Sequence, residues 1–168
     1  MDRDRVVRLT DEIYDRIEDP AWRIRAISHS HAVASLAALL ARVRGLDAEL
    51  AAVCGQLHDL AAYERLSYDN HAALGAERAV QFLRELGEQD ESVLCLVHSA
   101  ILRHDDLGKT DGPMDEVLKD ADLLDNAQLR APEKLRPEEI KRLCRVFEEL
   151  GIRQNPYGAG QATVPNSI

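Results

Sequence analysis

Six side chains along this sequence could together hold a metal: His29, the adjacent pair His58-Asp59, His71, His104 and Asp122. A mixed imidazole and carboxylate set suits Mn, Fe, Co, Ni or Zn, whereas all-oxygen sets suit Mg or Ca. In helical bundles such sites are assembled from side chains that project inward from facing helices. Each position also has a plain reading on its own. His71 stands at a helix start where a histidine is often simply solvated, and Asp122 belongs to the acidic run LKDADLLDN, whose other members Asp120 and Asp125 are read as exposed. Taken together, the set points to a centre for one or two divalent transition-metal ions.

Helix geometry sorts the candidates. At about 100° per residue, His29 and His31 leave one helix on nearly opposite sides. His29 shares its face with the apolar Ala32, Val33, Leu36 and Leu40, while His31 lies with Ser35 and Arg42. His29 is therefore chosen as the ligand. His58 and Asp59 follow an apolar stretch, where a charge is costly unless compensated. His104 ends a helix whose Val97, Ala100 and Ile101 share its face; His98, six residues earlier, is turned away and read as a core or supporting residue. Two cations stand one helical turn from these positions: Arg25 before His29, and Lys119 before Asp122. Arg103 and Lys109 flank a later loop.

The elements that must position these residues are helical. Apolar spacing predicts a first helix ending before Asp19-Pro20, a second over about 22–44, and a third over about 48–62 opened by Asp47. The stretch 63–70 reads as a polar loop. Further helices are expected from 70 or 71 to near Gly87, from Asp90 to about 103, over 114–129 and over 137–150, with a Gly- and Pro-containing loop at 104–113. No segment alternates convincingly enough for a strand. The expected fold is all-α, one single-domain bundle of six to seven helices over residues 1–168, with a core at 20–130 and an irregular tail at 152–168.

Composition narrows the function. The chain has 168 residues, with 21 Lys+Arg against 30 Asp+Glu and a formal charge of −9. That balance leaves no basic stripe for the backbone of a nucleic-acid polymer. Three cysteines, Cys54, Cys95 and Cys144, fall inside helical patterns, so a reducing, cytoplasmic setting is expected rather than a disulfide framework. No apolar run approaching the ~20 residues of a membrane span is read, and MDRDR is not followed by a signal-peptide core. No membrane partner is expected, and a homo-oligomer is compatible with this reading.

The order H…HD…H…H…D, carried by SHSHAVASLA, QLHDLAAY, NHAALGAERA, AILRH and LKDADLLDN, resembles the HD-domain superfamily of metal-dependent phosphohydrolases over roughly residues 20–130. The resemblance implies a core site of His29, His58, Asp59 and Asp122. His71 and His104 would complete a second site, with Asp59 as the catalytic bridge. It implies hydrolysis of a small phosphate ester such as a nucleotide by a metal-activated hydroxide, with Arg25 and Lys119 neutralising the phosphate. Paired ions stabilise both the attacking and the leaving oxygen in such reactions. The same ligand set also occurs in mixed-valent di-iron oxygenases of the superfamily, and a non-catalytic sensor domain is a further alternative. Two departures narrow the resemblance. Ala62 stands where one-metal members place a Glu, leaving Glu64 and Asp69 as the nearby acids. The Lys and Gly-Tyr-Pro signature of the cyclic-dinucleotide phosphodiesterases is absent.

Overall fold

A computed structural model describes residues 2–157 and places eight α-helices and one short 3-10 turn in them, with no strand among the described residues. The helices are α1 (Arg3–Tyr14), α2 (Pro20–Val43), α3 (Ala48–Leu57), α4 (Leu60–Arg65), α5 (His71–Glu85), α6 (Glu91–Arg103), α7 (Pro113–Gln128) and α8 (Pro137–Glu149), with the 3-10 turn at Pro132–Lys134. Residues 152–157 follow without regular structure, and the rest of the expected tail lies outside the described residues.

Local chemistry sets these boundaries. Asp2, Asp19, Asp47 and Asp90 precede four of the helices, and the side chain of each accepts from first-turn backbone N–H groups. Such caps satisfy donors that the helix itself leaves free. Pro20, Pro113 and Pro137 open their helices at positions that need no N–H. Gly45 and Gly87 follow α2 and α5 with φ of 68° and 96°, the left-handed region where a Cβ is costly.

The bundle is built around α2, which packs against α3 on one side and α7 on another. α5 pairs with α6, α1 lies on α3, and α8 lies on α7. Buried alanines recur here: Ala26, Ala37 and Ala41 of α2 and Ala51 of α3 share one core with Leu40, Leu57 and Leu118. α2 and α3 approach so closely that a Cβ on Gly55 would stand 2.7 Å from the Ala34 backbone. By length and composition alone, α2 is apolar enough to cross a membrane, which departs from the expectation that no run qualifies. Half of that span is buried inside the bundle, so its apolarity is already met by neighbouring helices.

Three features differ from the sequence expectation. The helix expected over 48–62 is broken at His58-Asp59, where Asp59 leaves helical geometry at φ −107°, ψ 12° and a short α4 begins. Tyr63 is therefore a fully buried residue of α4 and not part of a polar loop; the loop is shortened to residues 66–70, entered and left through Leu66 and Asn70 at positive φ. Asp120, expected to be exposed, is fully buried. Arg44, just after α2, and Arg142 and Arg145 of α8 all donate to its carboxylate. Three guanidinium groups offset the desolvation that a lone buried carboxylate would incur.

Candidate metal centre

The break between α3 and α4 aims two adjacent side chains at one place. In an unbroken helix, neighbours diverge by about 100° and cannot face a common point. Gly75 of α5 lets this segment lie against the next helix, since a Cβ there would meet the His58 carbonyl oxygen at 2.6 Å. One turn before Gly75, α5 begins with His71. His104 caps the end of α6, α2 contributes His29, and α7 contributes Asp122.

Four imidazoles converge, and their tautomers are fixed from behind. His58 Nδ1 donates to the Gly55 carbonyl (2.8 Å), His71 Nδ1 to Tyr68 (2.9 Å) and His104 Nδ1 to Ile101 (2.7 Å). His29 Nδ1 donates to the Asp125 carboxylate at 2.5 Å. A carbonyl or carboxylate oxygen can only accept, so each Nδ1 carries hydrogen and each neutral ring offers an Nε2 lone pair. Those lone pairs meet in two couples. His29 and His58 have Nε2 atoms 3.2 Å apart, and so have His71 and His104. Two bare nitrogens at that distance repel unless a cation or proton lies between them.

Asp59 stands between the couples. Its Oδ2 is 3.4 Å from His58 Nε2 and 3.8 Å from His29 Nε2, and its Oδ1 is 3.8 Å from His104 and 3.9 Å from His71. Asp122 Oδ1 joins the first couple at 3.0 Å from His29 and 3.6 Å from His58. Asp59 is buried, and its Oδ1 has no hydrogen-bond partner. An orphaned buried carboxylate oxygen is expensive, and an ion held with His71 and His104 would satisfy it. Two ligand groups follow: His29, His58 and Asp59, joined by Asp122, and Asp59, His71 and His104. The donor set thus fits one or two divalent transition-metal ions, with Nδ1 partners of the kind that orient ligating imidazoles.

Electrostatics agree with a site built for cations. Burial acts to lower the His58 pKa, but Asp59 and Asp122 outweigh it and hold the ring well above the ordinary imidazole range. His104 is pushed down, first by burial and then by the charge of His58. Burial would raise Asp59, yet His58 and His104 bring its carboxyl down to about 2. Asp122 likewise lies far below the usual carboxylate range, the His29 and His58 imidazoles beside it outweighing its burial. Both carboxylates are therefore anionic ligands at any physiological pH.

Around this centre the structure sorts the remaining candidates. Arg25 lies beside it on α2, donating to the Asn126 side-chain oxygen at 2.7 Å and standing 3.6 Å from Asp125. Asn126 in turn donates to Asp122 at 2.8 Å. Lys119 does not reach the centre. Its ammonium is fully buried 2.5 Å from Asp111 and 3.2 Å from Glu116, and it also donates to the Lys109 carbonyl, so its charge and protons are committed within α7 and the preceding loop. Glu64 is bound by Arg78 on the outer side of α4, and Asp69 is exposed. His31 pairs with Asp11 at 2.8 Å, and His98 lines a surface groove between α5 and α6 and is not a core residue. Arg103 is bonded to Asp115, and Lys109 to Asp106. A recess of about 820 Å³ between α1, α4 and α5 holds none of these ligands.

Asp125 is the residue that sequence reasoning missed. It lies three residues after Asp122 and so shares its helix face, a signal hidden by the acidic run around it.

Known proteins place the same residues in context. The model of the HD domain family matches residues 26–129, a span that contains all six converging side chains. The chain is 32% identical over 161 residues to a Ribonuclease Y of Rhodopirellula baltica, which covers 95% of this chain and 28% of that protein. It is 31% identical over 118 residues to the Ribonuclease Y of Lawsonia intracellularis, covering 70% of this chain and 21% of that one. The chain thus spans under a third of the length of these curated relatives. Among solved structures, a predicted HD superfamily hydrolase from an uncultured Thermotogales bacterium superposes with a TM-score of 0.61 at 27% identity, with 88% of each chain covered. With more than half of its length under the family model and its histidines and aspartates gathered in one buried cluster, the chain belongs to the HD domain family.

Proposed function

We propose that this chain is a metal-dependent phosphohydrolase acting on a small phosphate ester, with a nucleotide as the leading candidate. The observation that carries the reading is Asp59, whose two oxygens face two separate histidine couples and whose Oδ1 is left without a partner. The likeness to a protein described as a predicted HD superfamily hydrolase supports hydrolysis as the class of chemistry. Divalent ions held by His29, His58, Asp59, His71, His104 and Asp122 would supply Lewis acidity toward the phosphoryl oxygens and a bound water of lowered pKa.

The chain's own residues would do the rest. The backbone carbonyls of Gly55, Tyr68 and Ile101, together with the Asp125 carboxylate, hold the imidazoles in one tautomer. Asp122 is oriented by Asn126. Arg25, held by Asn126, Asp125 and the Tyr68 side chain, would offer its guanidinium charge to a phosphate that approaches from the α2 side.

A second reading has one observation behind it: the relatives named Ribonuclease Y, which suggest a phosphodiester in RNA as the bond cleaved. The net charge of −9 disfavours long polyanions and leaves short oligonucleotides open. Elemental analysis of purified protein, followed by phosphate-release assays over a nucleotide panel with Mn, Co and Fe, tests the first reading. A short RNA oligonucleotide in the same panel tests the second. Protein that takes up no metal and stays inactive after reconstitution would overturn both.

A further inference from the structure

Beside the centre, α2 and the loop 66–70 build an aromatic surface that the ligand set does not use. Trp22 and Tyr68 stack with ring centroids 5.3 Å apart and planes 26° apart. Buried Tyr63 lies beneath both, 6.3 Å from each centroid and nearly perpendicular to them. Tyr68 is 42% exposed, a large aromatic left open to solvent in a chain whose aromatic content is only 4%. A recess of about 270 Å³ is lined by Ala21, Trp22, Arg25 and Tyr68. That is just below the ~300–1,000 Å³ usual for small-molecule pockets, so it suits one ring and not a whole ester.

The position of this surface is as telling as its chemistry. The Tyr68 ring stands edge-on to the His71 ring, with centroids 5.6 Å apart, so one imidazole separates the aromatic recess from the histidine cluster. Arg25 belongs to both, lining the recess while lying 3.6 Å from Asp125, the partner of His29. The Tyr68 carbonyl accepts from His71 Nδ1, so the loop that presents the ring also anchors a ligand.

We propose that Trp22, Tyr68 and Arg25 form a specificity shelf that stacks the flat heteroaromatic ring of a nucleoside phosphate while its phosphate reaches the histidine cluster. This rests on the phosphohydrolase reading and adds the residues that select the leaving group. Every nucleobase has a π-face, and stacking on aromatic side chains with a nearby guanidinium is tolerant of which base is present. The shelf therefore discriminates ring from no ring, not one base from another.

Trp22 is the chain's single tryptophan, so the shelf reports on itself. Titrating the full chain with adenosine monophosphate, and separately with ribose 5-phosphate, follows Trp22 emission corrected for nucleotide absorbance. The expected result is saturable quenching by the nucleotide at concentrations where ribose 5-phosphate has no effect. The affinity should fall roughly 5- to 100-fold in Tyr68→Ala and be restored in Tyr68→Phe, which keeps the ring and the backbone carbonyl. In turnover, Tyr68→Ala should raise KM for the nucleotide by a similar factor more than for ribose 5-phosphate. Equal quenching by both esters, no quenching by either, or a Tyr68→Ala titration that matches the parent would overturn the shelf. Selective quenching without hydrolysis of either ester would leave the shelf standing and overturn the phosphohydrolase reading. Hydrolysis of both with equal KM and no effect of Tyr68→Ala would do the reverse.

Discussion

Gly75→Ala isolates the contact that holds the two histidine couples together. A Cβ at this position would stand 2.6 Å from the His58 carbonyl oxygen, about 0.8 Å short of the 3.4 Å at which ordinary contact begins. The obstacle is backbone, not the end of a pliable side chain, so α5 must move away from the α3–α4 break. On its other side the new methyl would touch Ile101 at 3.4 Å, which leaves little room to slide. His71 sits one turn upstream on α5 and travels with it, whereas Asp59 and His104 belong to other segments. Metal ligands tolerate displacements of only about 0.2 Å, so a shift several times larger opens the Asp59–His71–His104 group. The helix-propensity gain from Gly to Ala, about 0.5–1 kcal/mol, opposes an overpacking cost of about 1–3 kcal/mol. The clash wins, and for a chain of this size Tm should fall by a few degrees. Elemental analysis and thermal unfolding should together show the metal content of the Asp59–His71–His104 group lost relative to the parent, with Tm modestly lowered. A variant that keeps the parent's metal content and affinity and the parent Tm would refute the reasoning.

Asp125→Asn should keep His29 buried but remove the carboxylate that orients it; a drop of about 10- to 100-fold in affinity for the metal of the His29–His58 couple is expected by competitive titration with a chelator. The three cysteines should differ in reactivity. Exposed Cys95 should be labelled first by a thiol reagent and partly buried Cys144 more slowly, while Cys54, whose thiol burial pushes up to about 12, should react only on unfolding; peptide mapping of the labelled chain reads the order. Glu139 should tie α8 to acid stability. Burial acts to raise its pKa, but Arg130 and the backbone and side chain of Arg136 outweigh it and lower it from 4.5. A depressed folded pKa gives stability that is present above the unfolded value and lost as pH falls through the folded one. Glu139→Gln should therefore lower stability at neutral pH and flatten the decline below about pH 4.5, measured by denaturant unfolding at several pH values.

What the sequence revealed depended on whether the cause of a feature was local. Apolar spacing placed the helices, because the stripe of Val33, Leu40 and their neighbours is written at helical intervals. It also separated the face of His29 from that of His31, and the latter pairs with Asp11 on α1. The α3–α4 break was not legible, since Leu57, Leu60 and the alanines that follow keep the apolar pattern running through it. Lys119 was misplaced for a similar reason. Its partner Asp111 comes from a loop that folds back onto α7, and no periodicity reports where a loop returns. Asp120 and Asp125 were hidden in an acidic run that reads as solvated. Asp120 finds its partners at the end of α2 and on α8, and Asp125 finds His29 on α2.

The burial of Asp120 under three arginines has a consequence for how this chain can vary. Removing the carboxylate leaves Arg44, Arg142 and Arg145 repelling one another at the junction of α2, α7 and α8, with Glu116, Glu149 and the Leu107 and Lys109 carbonyls left to hold them. Removing one arginine strips charge compensation from a fully buried anion. Neither single change is neutral, whereas exchanging the carboxylate and its arginines together for packed apolar residues can be. These four positions, spread over a hundred residues of sequence, are therefore coupled in energy: the cost of changing one depends on which of the others are still charged.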